Sequence, residues 1–66
     1  MNDEGLKYYE GKTVFILLKS GRKYSGVVKQ IDDSNPPLIW IYIIDKFGKM
    51  VTFVASEIDV IEEERR

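Results

Sequence analysis

From Thr13 to Lys19 the apolar side chains alternate, with Val14, Ile16 and Leu18 on one side and Phe15 and Leu17 on the other. That two-residue period is the signature of a strand. Ser20-Gly21 reads as a turn, in which Gly21 supplies the positive φ that a two- or three-residue hairpin loop demands. Arg22 to Asp32 predicts a second strand, interrupted by Gly26, which marks a bulge, a sharp bend or a close approach of backbones. Asp33-Ser34-Asn35-Pro36-Pro37 reads as a loop, because neither proline can donate to a ladder and Asn35 is biased away from the helical region by Pro36. Leu38 to Ile44 is a third strand, Lys46-Phe47-Gly48-Lys49 a turn, and Met50 to Ala55 a fourth strand. Ser56-Glu57 is a corner before a last strand, Ile58 to Ile61. Five short strands with closely spaced turns predict a mainly β fold, a small and strongly bent five-stranded antiparallel barrel.

The ends are less patterned. Asn2 or Asp3 would cap a short helix with Leu6 and Tyr9 on one face and Gly11 at its end; the same residues also suit a frayed arm. The expected division is one domain over 1–66: residues 1–12 as helix or arm, 13–61 as barrel and 62–66 as a solvated charged tail.

The third strand departs from the usual alternation of a half-wetted antiparallel sheet. Leu38, Trp40, Tyr42 and Ile44 fall on one face, and Ile39, Ile41 and Ile43 on the other. Both faces need cover, either from the N-terminal helix through Leu6 and Tyr9 or from another subunit. Self-association is the expectation.

Composition removes several chemistries. A chain of 66 residues hides only about 60% of its unfolded surface, and small domains without staples often rely on oligomerisation. There is no cysteine and no histidine, so disulfides, Cys-based metal sites and the commonest general base are excluded. Ser20, Ser25, Ser34 and Ser56 have no histidine to activate them, and no glycine-rich phosphate loop is present. We therefore expect neither an enzyme nor a cofactor or metal. A net charge of −1 rules out nucleic-acid binding by bulk positive charge and leaves a local patch or base stacking. Met1-Asn2-Asp3-Glu4 is acidic where a signal peptide is basic, and Leu38 to Ile44 is too short to span a bilayer. The expectation is a cytoplasmic protein without membrane association.

The residues Val14, Ile16, Leu18, Gly21, Tyr24, Gly26, Val28, Ile31 and Asp32 together form a pattern that resembles the first sequence motif of the Sm and Sm-like proteins. Other SH3-like barrels share the hairpin and the bend. The resemblance covers the middle third of the chain closely and the rest in outline. It implies a ring, a hexamer or heptamer of this chain, in which strand four of one subunit pairs with strand five of the next. It also implies single-stranded, uridine-rich RNA held around the pore by two loops. In the first loop the family places Asp-x-x-apolar-Asn; here Asp32-Asp33-Ser34-Asn35-Pro36 has asparagine one place early and no stacking aromatic. In the second loop a cation is usual; here Val54-Ala55-Ser56-Glu57 carries an acid.

The RNA-binding candidates are accordingly Asp33, Asn35 and Ser56, with Lys19, Arg22 and Lys23 as a basic face around the first hairpin. Asp32, Asp33 and Asn35 also suit an ordinary turn, and the lysines an ordinary solvated face. Trp40 suits the core better than a base-stacking platform. Candidates for the subunit interface are Met50, Thr52, Val54, Ile58, Val60, Trp40 and Ile41. The leading expectation is a ring-forming RNA scaffold or chaperone. The alternatives are an SH3-like protein-interaction module that binds no nucleic acid, and an accessory barrel within a larger complex.

Overall fold

A computed structural model describes residues 3–64. A short helix, α1 (Asp3–Lys7), precedes five strands: β1 (Thr13–Leu18), β2 (Lys23–Asn35), β3 (Leu38–Asp45), β4 (Met50–Val54) and β5 (Ile58–Glu63). A 3-10 turn, Ala55–Glu57, joins β4 to β5. All pairings are antiparallel and the sheet order is β4-β3-β2-β1-β5. The expected mainly β, five-stranded architecture is present, and β4 and β5 form the two outer edges of the sheet.

Two hairpins share one construction. At β1–β2, Gly21 N–H donates to Leu18 O (2.9 Å) and Leu18 N–H to Arg22 O (2.8 Å). At β3–β4, Gly48 N–H donates to Asp45 O (3.0 Å) and Asp45 N–H to Lys49 O (2.9 Å). Both glycines have positive φ, 92° and 82°. This is the three-residue hairpin in which a left-handed residue returns the chain to the ladder with the correct twist.

Gly26 marks a close approach. Its cross-strand partners are Val14 and Asp45, and a Cβ there would sit 2.2 Å from the Ile44 carbonyl oxygen and 2.9 Å from Asp45 Cα. The bulge of β2 lies further on, where the register with β3 shifts between Val28 and Gln30. These irregularities let the sheet curl. The curl is wide enough for Tyr24 of β2 to stack on Phe53 of β4, centroids 5.6 Å apart, although the two strands are not neighbours.

The concave side holds the core: Val14, Ile16 and Leu18 from β1, Val28 and Ile31 from β2, Ile41 and Ile43 from β3, Phe53 from β4, and Ile58 and Ile61 from β5. Leu6 completes it with no exposed surface. Five residues of helix are unstable alone, but burying a leucine is worth about 1.5–3 kcal/mol, enough to dock the segment. Asp3–Lys7 therefore form a helix and not a frayed arm. The helix joins the core side of β3, with Ile41 and Ile43, and leaves the face carrying Trp40 and Tyr42 half-exposed. Of the two alternatives for covering the outer face, the one through Leu6 and Tyr9 does not form, since Leu6 packs into the core. Asp3 falls within α1, and the alternative cap, Asn2, lies outside the described residues.

Three further points differ from the sequence reading. Strand β2 runs on through Asp33, Ser34 and Asn35, pairing Asn35 with Leu38, so the expected loop shrinks to Pro36-Pro37. Trp40 is half-buried and outside the core cluster. The expected tail begins later, because Glu62 and Glu63 belong to β5. Tyr8 OH donates to Glu63 Oε1 (2.8 Å) and Ser25 Oγ to Glu64 Oε1, while Glu64 N–H donates to Thr13 O (2.8 Å). Side-chain and backbone bonds hold what polarity alone would release to solvent.

Glu10 fills a gap in the ladder. Its Oε2 accepts the backbone N–H of Ile31 at 2.9 Å, just beyond the β2 bulge. Glu10→Ala should cost about 1 kcal/mol by leaving that donor without its carboxylate. Slower amide exchange in the wild type at Ile31 than in the variant is the check.

Candidate functional site

The surface offers two regions of interest, the sheet edges and the end of the barrel where loops meet. Of the seven interface candidates, Met50 and Thr52 are exposed and Val54, Val60 and Trp40 half-buried. Ile41 has no exposed surface and Ile58 turns into the core, so the side chains available are Met50, Thr52, Val54 and Val60 on the edge strands and Trp40 on the convex face of β3. Trp40 pairs across the sheet with Val54, Tyr42 with Thr52, and Ile44 with Met50. Val27 lies opposite Ile44 on the same convex face. The edge strand β4 is therefore continuous with an apolar outer strip.

The edges differ in charge. β5 carries Asp59, Glu62 and Glu63, and Glu57 and Glu64 flank it. β4 has no ionisable residue and follows a turn bearing Lys46 and Lys49.

The RNA-binding candidates do not gather in one place. Lys19 and Ser56 line one hollow of about 290 Å³ with Pro37, Ile39, Ala55 and Ile58. Lys19 N–H donates to Glu57 O (2.8 Å), which ties the first hairpin to the β4–β5 corner. Lys23 instead lines a hollow of about 260 Å³ beside the β3–β4 turn. Arg22 is exposed on the hairpin, and Asn35 is exposed at the end of β2. Asp33 forms an ion pair with Lys7 of α1, 3.0 Å, so it serves helix docking. The basic face expected from Lys19, Arg22 and Lys23 is thus divided, with Lys19 and Lys23 in separate hollows and Arg22 in neither.

Asp32 orders the last part of β2. Its Oδ1 accepts from the Ser34 hydroxyl (2.6 Å) and the Ser34 amide (3.0 Å). These two bonds, the hydroxyl's first, hold its carboxyl below the usual value of 3.8. The ionised form is the one they favour, and the resulting bend sets the approach to Pro36-Pro37.

The sequence reading passed over Phe47, which is 77% exposed at the tip of the β3–β4 turn. The available signal was an aromatic set between Lys46 and Gly48-Lys49. Among the described residues no helix is long and apolar enough to cross a membrane. Comparison of the chain with protein-family models, with characterised proteins and with solved structures finds no match.

Proposed function

We propose that the protein is a Sm-like subunit that assembles head to tail into a ring, a hexamer or heptamer, and serves as a scaffold for single-stranded RNA. The observation that carries the reading is the unlike charge of the two open sheet edges. Pairing β5 with β5 would set carboxylates against carboxylates, whereas pairing β4 with β5 of the next copy sets a neutral strand beside an acidic one. A contact between two different surfaces is heterologous, and it closes as a ring when the rotation permits. It also satisfies edges that would otherwise invite aggregation.

The RNA part draws on the first hollow. Lys19 supplies beside Ser56 and Pro37 the cation that the Glu57 corner lacks. One such contact is weak, and a ring adds several through effective concentration. The half-exposed convex strip of Trp40 and Tyr42 favours the second reading, a protein-interaction module without nucleic acid.

Native mass spectrometry, with and without a short oligouridine, separates these readings. A discrete ring that takes up RNA is the expected result. A ring that ignores RNA leaves a scaffold only, and a monomer leaves the interaction module. The edge model is tested by charge. Met50→Glu with Thr52→Glu should dissociate the ring by facing β5 acids with new acids, whereas Met50→Lys with Thr52→Lys should preserve it. Both positions are exposed, so the protomer fold survives either pair. Equal behaviour of the two double variants would sink the pairing.

A further inference from the structure

The β3–β4 turn is held by hydrogen bonds, yet it presents its aromatic side chain to water. Beyond its two backbone bonds, Asp45 Oδ1 accepts from the amides of Phe47 and Lys49, each at 2.9 Å. Such a turn is held without any help from an apolar residue at its tip, and an exposed phenyl ring adds nothing to the core. Lys46 Nζ lies 5.3 Å from the Phe47 ring centroid. Between this turn and the start of β2, a hollow of about 260 Å³ is lined by Lys23, Tyr24, Ser25, Asp45, Lys46 and Phe47. Its one carboxylate is turned onto turn amides, while its two lysines are exposed.

A ligand suited to this place combines a flat apolar group for the ring with an anion for the lysines. A nucleotide of an unpaired strand has both. Bases within a duplex do not offer their faces. We propose that the Phe47 turn is a contact for single-stranded RNA, in which a base stacks on Phe47 and Lys23 and Lys46 hold the adjoining phosphates. The site is separate from the Lys19–Ser56 hollow, and it rests on the RNA reading given above. It places base stacking, which the Asp32–Pro36 segment cannot supply, on a different loop. The sequence tolerance of stacking makes the contact indifferent to base identity.

The test is fluorescence anisotropy with a short labelled oligouridine on the full chain, alongside sedimentation with vesicles of phosphatidylcholine and phosphatidylserine. Phe47→Ala should raise Kd roughly 5- to 150-fold, and Phe47→Tyr should restore the wild-type value. Lys23→Ala with Lys46→Ala should lower the slope of log K against log salt by about 0.7 for each phosphate no longer neutralised. All these side chains are exposed, so the fold is not at stake. Wild-type binding that none of the variants changes overturns this site while sparing the RNA reading. A wild-type protein that binds no RNA overturns both. Phe47-dependent binding to vesicles without any effect on RNA overturns the proposal in favour of a lipid surface.

Discussion

Gly26→Ala is expected to cost about 3 kcal/mol or more, lowering the thermal midpoint by roughly 12–24 °C. The added Cβ would meet the Ile44 carbonyl carbon at 2.8 Å as well as its oxygen at 2.2 Å. Both atoms are backbone, fixed by the pairings of β3 with β2 and β4, so no flexible side chain can yield. A core of this size supplies about 3–5 kcal/mol, and one methyl group would consume most of it. Differential scanning fluorimetry at fixed protein concentration is the measurement, since oligomerisation would make the midpoint concentration-dependent. A midpoint within a few degrees of wild type would mean that β3 can withdraw from β2.

Leu6→Ala should destabilise by about 2–5 kcal/mol, a large effect for a residue in so short a helix. Leu6 is fully buried among residues drawn from all five strands, so its loss leaves a cavity in the centre of the fold. Lys7→Ala provides the contrast. It removes an ion pair with Asp33 that is substantially exposed, and such pairs are worth at most about 1 kcal/mol. Urea unfolding of both variants gives the comparison. Similar midpoints would mean that the helix contributes by its surface contacts and not by its buried leucine.

The parts of the fold legible in the sequence are those in which local pattern and tertiary burial agree. Val14, Ile16 and Leu18 alternate and are buried; Gly21 and Gly48 occupy the positive-φ positions of their hairpins; Gly26 stands where two backbones nearly touch. Legibility failed where tertiary bonds redirected polar residues. Asp33, Ser34 and Asn35 look like turn formers, but the Asp32–Ser34 bonds bend a strand that pairs on to Leu38. Glu63 and Glu64 look like a solvated tail until Tyr8 and Ser25, distant in sequence, donate to them. No local rule predicts such partners.

At the candidate site the same division appears. The edge strands could be read from Met50 to Ala55 and Ile58 to Ile61, because mostly apolar runs without proline announce themselves. Which of the interface candidates remain outside could not, since the curl of the sheet sends Ile41 of β3 and Ile58 of β5 inward. Lys19 and Lys23 are four residues apart, yet the two ends of one hairpin turn place them in different hollows. Phe47 sits in a turn, where residues are ordinarily solvent-facing, so its position alone does not set it apart.

The pairing of β1 with β5 also bears on how the chain reaches its fold. Ile16 lies opposite Ile61 and Leu18 opposite Ile58, so the first strand is completed only by the last. Contacts of such long sequence separation are slow to form, because the intervening loop must close before they return any energy. During synthesis the inward side of β1 stays without that cover until β5 has left the ribosome. The hairpins can form early, but the molecule becomes a cooperative unit only after its final strand is free to join the first.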